Sequence, residues 1–180
     1  RYERFRIQDE NELLNEEPIF KFAKRIDGIV NVYQRVSDVV SNVLEQGNFP
    51  LVLAGDHSSA GGTIAGIKSQ YPDKRLGVIW IDAHADLHTP YTTPSGNIHG
   101  MPLATALGQD NLDSKINDPS DDTLKYWAEL KGMGGIKPKV KPADLVFVAV
   151  RDTEKPEDDL MAREGIKNFK VEDVRTSGVD

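Results

Sequence analysis

Short apolar runs alternate with segments of helical pattern along this chain, and this alternation limits the possible folds most strongly. Apolar runs of this kind are typical of strands buried on both faces of a sheet. They occupy residues 49–55 (FPLVLAG), 76–81 (LGVIWI) and 144–150 (DLVFVAV), and an alternating run follows at 166–171 (IKNFKV). The helical segments are 18–46, 58–71, 100–108, 122–130 and 156–165. Strands joined by helices need crossover connections, which predict an α/β fold with a parallel sheet and helices on both faces.

Composition narrows the class of protein and of partner. The 180 residues, 38% of them hydrophobic, are enough for one domain with a buried core. A net charge of −7 argues against nucleic acid and against an anionic membrane surface as partners. The sequence holds no apolar stretch long enough to span a membrane. The absence of cysteine excludes disulfides, thiolate zinc sites and a cysteine nucleophile, and we expect a cytoplasmic protein.

Charged side chains follow three of the apolar runs, where the strands of a parallel sheet place functional groups. Asp56 and His57 follow the first run; Asp82, His84 and Asp86 follow the second; residues 151–154 follow the third. Alternate residues of an extended segment point to one side, so the second group is expected to converge. Two carboxylates that close repel each other unless a cation lies between them. The alternatives are a solvated loop for the D-x-H-x-D run and a capping or core role for the histidine after the first run.

Imidazole and carboxylate without thiolate suit a divalent ion such as Mn, Fe, Co or Zn. A carboxylate can bridge two such ions about 3.5–4 Å apart, as in two-metal hydrolases. Asp82 is nearest the strand and is the expected bridge.

Three motifs in the expected order resemble those of the ureohydrolase superfamily, and of the arginases most closely. They are G-D-H-S at 55–58, D-A-H-x-D at 82–86 and S-G-N-x-H-G at 95–100. The resemblance implies an arginase-like α/β domain and a hydrolase with two Mn²⁺ per subunit that converts L-arginine to ornithine and urea. It also implies a homo-oligomer, a trimer or a hexamer.

The resemblance assigns roles to individual residues. The metal ligands would be His57, Asp82, His84 and Asp86, with Asp86 also counted among the catalytic residues. His99 would carry a proton to the leaving amine. The substrate's α-carboxylate would contact residues of the following loop, and its α-amino group would contact an acid further along the chain. These substrate-binding positions are His88, Thr93, Ser95, Asn97 and Glu154.

The chain departs from the arginase pattern in three respects. His88 stands where arginases usually have Asn, and Glu154 stands where they usually have Asp. The second metal motif, S-x-D-x-D, and the glutamate that binds the guanidinium group do not occur. We therefore expect residues 1–180 to be a fragment, incomplete at both ends, of a single domain of about 300 residues, and to be inactive alone. Another amidinohydrolase, of the agmatinase or guanidinobutyrase type, and a non-catalytic arginase-like binding subunit remain alternatives.

Overall fold

A parallel three-stranded sheet lies at the centre of the structure. The computed structural model describes residues 2–178, and its strands are β1 (Val78–Ile81), β2 (Leu145–Val148) and β3 (Lys167–Phe169), in the order β1–β2–β3. The register pairs Trp80 with Phe147 and Phe147 with Asn168. The predicted parallel α/β fold is confirmed, and the carboxyl ends of the strands lie at one edge of the sheet.

Six α-helices flank and connect the strands in residues 2–178. They are α1 (Ile26–Glu45), α2 (Ser59–Gln70), α3 (Pro102–Leu107), α4 (Asp121–Gly132), α5 (Lys155–Glu164) and α6 (Val171–Ser177). The first begins later than the predicted residue 18. Arg25 has a left-handed backbone (φ 59°), and Lys24 N donates to Gly96 O at 2.7 Å, so a tertiary contact holds the preceding turns out of the helix. None of these helices has the length and apolar character needed to cross a bilayer.

The prediction of a buried strand at 49–55 is wrong for this structure. The segment has no sheet partner, and Leu51 and Leu53 are 79% and 89% exposed. A strand requires a hydrogen-bonded neighbour, and the described residues provide none on this side. A groove of about 680 Å³ separates the segment from β1, with Val52 on one wall and Val78 on the other.

The β1 edge of the sheet is apolar as well. Ile79 and Ile81 of β1 are 73% and 75% exposed, whereas Trp80 between them is buried. Natural proteins seldom leave an edge strand with large exposed apolar side chains, because such a strand offers a template on which another strand can pair. The groove and this edge together form one open apolar surface.

Two buried clusters hold the layers together. One joins the sheet to α3 and α5 around Phe147, Leu103 and Leu160. The other joins α1, α2 and α4 around Tyr33 and Trp127. Glycines 61, 62 and 66 let α2 approach α1 closely, because a Cβ at any of them would meet Tyr33, Val36, Ser37 or Val40. The small residues of α2 thus serve packing, and the helix places its N-terminus beside the end of β1.

Candidate metal centre

The chain turns sharply where β1 ends, and this turn creates the centre of the site. Asp82 Oδ1 accepts a hydrogen bond from His84 N at 3.0 Å, which closes a local turn. Asp86 has a left-handed backbone with φ 51°. The expectation that alternate residues of an extended segment converge is therefore wrong in its geometry, because residues 82–84 form a bend. Asp82 and Asp86 nevertheless converge, through the bend and the strained backbone of Asp86.

The loop after β2 docks on this turn. Ala149 has φ 67°, and the N–H groups of Arg151 and Asp152 both donate to Ala83 O at 2.9 Å. Main-chain hydrogen bonds thus bring the third group of charged residues to the second group, as the sheet topology predicts. The site is built at the carboxyl ends of β1 and β2.

His57 reaches the same point from the start of α2. The preceding residue, Asp56, accepts a hydrogen bond from Ser58 N at 2.9 Å and fixes the entry into the helix. The His57 ring stacks on Trp80, with 4.4 Å between the ring centroids and 13° between their planes. Packing on an aromatic side chain of β1 therefore orients this histidine even though residues 49–55 are not paired in the sheet.

Three donor atoms form a compact group. His57 Nδ1 lies 3.1 Å from Asp82 Oδ2 and 2.9 Å from Asp86 Oδ2, and one ligand atom from each residue lies within 4.8 Å of the others. The shorter contact is not aligned as a hydrogen bond, and Asp86 Oδ2 is buried without a hydrogen-bond partner in the described residues. A buried carboxylate oxygen normally has a partner. Nitrogen and oxygen lone pairs that face one point suit a divalent cation.

Electrostatics also favour a cation at this position. Burial, followed by the charges of Asp82, Glu157 and Asp56, raises the pKa of Asp86 from 3.8 to about 7. A carboxyl group with such a pKa holds a proton that a metal ion would displace. The donor set and its charge thus fit a metal ion.

His84 lies beside this group but outside it. Its Nδ1 is 3.5 Å from Asp82 Oδ1 and its Nε2 is 3.5 Å from Asp152 Oδ2, and its side chain is more than half exposed. Asp82 therefore faces His57 with one oxygen and His84 with the other. This arrangement is compatible with a bridging carboxylate, which stays a prediction.

His99 lies beside Asp56, one of the two charged residues that follow the first apolar run. It follows the loop in a short 3-10 helix, Ile98–Gly100, and its Nδ1 is 3.8 Å from Asp56 Oδ2. The side chain of His99 is about half exposed, which leaves it free to exchange a proton with solvent. Its catalytic role is untested and stays a prediction.

The predicted carboxylate-binding loop starts and ends beside the metal ligands. His88 N donates to Gly100 O at 3.0 Å, and Leu103 N donates to Asp86 O at 3.2 Å. Within the loop, Thr93 Oγ1 accepts a hydrogen bond from Gly96 N at 2.9 Å. Ser95 Oγ accepts one from the backbone N–H of Asn97, the third residue predicted to bind the carboxylate, at 3.2 Å. These hydroxyls stabilise a turn, but each keeps its own hydrogen to donate.

His88 and Glu154 meet directly. His88 Nε2 lies 2.8 Å from Glu154 Oε2 and 3.5 Å from Glu157 Oε2. His88 and Glu154 were predicted from the sequence as two separate substrate contacts. The sequence did not predict their contact, since they follow different strands.

Two side chains that organise the site were missed from the sequence. Glu157 is buried and accepts hydrogen bonds from Leu87 N at 3.0 Å and from Glu154 N at 3.2 Å. The E-x-x-E spacing of a capping box could have identified it. Trp80, which carries the His57 ring, gives no sequence signal beyond that of a core residue.

Comparison with known proteins identifies one family. The Arginase family model matches residues 4–180. The arginase of Brevibacillus brevis is 41% identical over 156 residues, which make up 87% of this chain and 46% of that protein. The arginase of Bacillus caldovelox is 38% identical over 156 residues, with the same two shares.

Solved structures agree with the sequence relatives. The native structure of the Bacillus caldovelox arginase has a TM-score of 0.74 at 37% identity and covers 91% of this chain and 48% of its own. The Entamoeba histolytica arginase in complex with L-ornithine has a TM-score of 0.71 at 31% identity and covers 90% and 49%. The chain spans about half the length of the relatives that it matches.

Proposed function

Since this chain belongs to the arginase family, we propose that the protein it forms is a ureohydrolase that cleaves the guanidinium group of L-arginine to ornithine and urea. The single observation that carries the proposal is the group His57, Asp82 and Asp86, with the unpartnered buried oxygen of Asp86. The relatives named arginase support the reaction, and the Entamoeba histolytica complex with L-ornithine supports the product.

The proposed metal is Mn²⁺, two ions per subunit. His57, Asp82 and Asp86 would hold one ion, and His84 with Asp82 would hold the other. Such ions, when bound, lower the pKa of water and so supply a nucleophile at neutral pH. The hard oxygen donors with imidazole suit Mn²⁺, although Fe, Co and Zn share this preference.

The other residues would act on the substrate. We assign proton delivery to the leaving amine to His99, whose exposed ring lies beside Asp56. Hydroxyl hydrogens of Thr93 and Ser95, with the amide of Asn97, would bind the α-carboxylate. Glu154, which is half exposed at the start of α5, would face the α-amino group.

We also propose that the chain is part of a longer domain, as the sequence departures suggest. The groove beside β1 supports this, because its walls include Asp56 and His57 of the site. A segment that filled the groove would pair with the edge of β1 and arrive at the open side of the metal ligands. Burying each exposed side chain, such as Leu53 or Ile79, would add about 1.5–3 kcal/mol. The oligomeric state and the cytoplasmic location stay predictions.

The test is substrate turnover by the complete protein. We expect Mn²⁺-dependent release of urea from L-arginine, much faster than from agmatine, and its loss in Asp82→Asn. Faster release from agmatine would favour the agmatinase-type alternative. A protein that holds metal but releases no urea from either compound would be the non-catalytic subunit. Asp159→Asn, on the outer side of α5 and paired with Lys155, is the matched control and should keep wild-type activity.

A further inference from the structure

The two positions where the chain departs from the arginase pattern are in contact with each other. His88 Nε2 and Glu154 Oε2 are 2.8 Å apart. The histidine is buried and the glutamate is half exposed at the mouth of the site. The pair usual in arginases, Asn and Asp, has shorter side chains at both positions, so the contact depends on both departures together.

Hydrogen bonds fix the direction in which His88 can donate. Thr92 Oγ1 accepts from Thr89 N at 3.0 Å and lies 3.2 Å from His88 Nδ1. The ionised Glu154 carboxylate can only accept hydrogen bonds, so the ring nitrogen that lies 2.8 Å from it, Nε2, is the donor, and in a neutral ring Nδ1 accepts from the Thr92 hydroxyl. The proton of a neutral ring then sits on Nε2, the atom that faces Glu154. The contact therefore needs no positive charge on the ring.

Within the protein, the Glu154 side chain faces the ring of His88 and, in the capping box at the start of α5, the backbone N–H of Glu157. Glu157 accepts from the main chain at 87 and at 154, so both of its oxygens are engaged. These bonds also hold the start of α5 against the segment that carries His88. Of Glu154 and Glu157, only Glu154 is half exposed and can still accept a hydrogen bond from a substrate. The ring N–H of His88 already occupies part of the capacity of Glu154 to accept hydrogen bonds.

We propose that His88 is a specificity-determining positioning residue that weakens the selection for the substrate's α-ammonium group. Resting on the proposed function, this widens the substrate class to ω-guanidino acids without an α-amino group. An ammonium group competes with the ring N–H of His88 for the Glu154 carboxylate. A guanidino acid that lacks the ammonium group leaves the contact between His88 and Glu154 undisturbed and gives up little binding energy.

The matched substrates are L-arginine and 5-guanidinopentanoate, which differ only in the α-ammonium group. In the complete Mn²⁺-loaded protein, His88→Asn should raise the ratio of kcat/KM for arginine to that for 5-guanidinopentanoate about tenfold, the effect of one charge-assisted hydrogen bond. The change should lie in KM for arginine, with kcat nearly unchanged. His88→Gln, whose longer amide can still reach Glu154, should restore most of the wild-type ratio.

Further variants separate a specific effect from a structural one. Asp159→Asn should keep the wild-type ratio, and metal content should be the same in all variants. In a Glu154→Gln background, His88→Asn should no longer change the ratio. An unchanged or lower ratio in His88→Asn alone, or the same increase in the Glu154→Gln background, would overturn the inference.

If the complete protein releases no urea, the proposed function fails, but a binding experiment still tests the role of His88. Calorimetry then compares L-ornithine with 5-aminopentanoate, a pair with the same difference. His88→Asn should increase the preference for ornithine about tenfold. Equal preference in the wild type and the variant would refute the role of His88 whatever the turnover.

Discussion

The raised pKa of Asp86 predicts a specific competition between protons and metal. Burial and the neighbouring carboxylates hold this pKa at about 7, against an ordinary value of 3.8. The fraction of Asp86 that is ionised in the metal-free chain is therefore about one-tenth at pH 6 and about nine-tenths at pH 8. Since a ligand must be deprotonated to bind a cation, Asp86 alone should strengthen Mn²⁺ binding about tenfold between these pH values.

The assay is a Mn²⁺ titration of this chain, followed by the electron paramagnetic resonance signal of free Mn²⁺. Asp56→Asn removes one of the charges that raise the pKa of Asp86, so its binding curve should move to lower pH. In Asp86→Asn the remaining donors are unchanged, and the ratio of its dissociation constant to the wild-type value isolates Asp86. That ratio should grow about tenfold from pH 6 to pH 8.

The folding stability of the metal-free chain should also depend on pH through the proton on Asp86. Between the ordinary pKa of 3.8 and about 7, the folded metal-free chain keeps on Asp86 a proton that the unfolded chain has released. Its contribution to stability therefore declines as pH rises through this window. Bound Mn²⁺ counteracts the decline, so the Mn²⁺-induced rise in Tm should be larger at pH 8 than at pH 6. A constant ratio of dissociation constants across this range, with an equal Tm shift, would refute the reasoning.

Three further predictions concern the metal ligands, the chain itself and the packing of the site. In the complete protein, Asp82→Asn should lose both metal ions and His57→Asn mainly one, as measured by elemental analysis; two retained ions in Asp82→Asn would exclude the bridge. Residues 1–180 alone should release no urea from arginine with Mn²⁺, because ligands implied by the family pattern are absent; a rate near that of the complete protein would contradict this. Glu157→Ala should lower the free energy of unfolding by about 2–4 kcal/mol, as measured by urea denaturation, because it leaves two main-chain N–H groups without their acceptor; a loss below about 0.5 kcal/mol would show that water replaces the carboxylate.

Much of the fold and the types of ligand could be inferred from the sequence. The apolar runs at 76–81 and 144–150 and the alternating run at 166–171 predicted three strands that the structure confirms, and the first of them located Asp82 and Asp86 at a strand end. His57 was expected at the same edge as the end of a strand at 49–55; the structure brings it there without that strand, through the start of α2 and its stacking on Trp80. The strand inferences, by contrast, were correct. These inferences succeed because strand periodicity and the direction of parallel strands are local or topological properties, and neither depends on a particular side-chain contact.

Other features depend on contacts between segments distant in the chain. Residues 49–55 have the composition of a buried strand, but pairing requires a neighbour, and composition does not supply one. Asp82 and Asp86 converge through a bend and a left-handed backbone held by the loop after β2, which the alternation of side chains does not show. The contact between His88 and Glu154 likewise arises only when the start of α5 packs on the loop that follows β1. A sequence specifies which donors are present, whereas the distances between them follow from how the turns and loops pack.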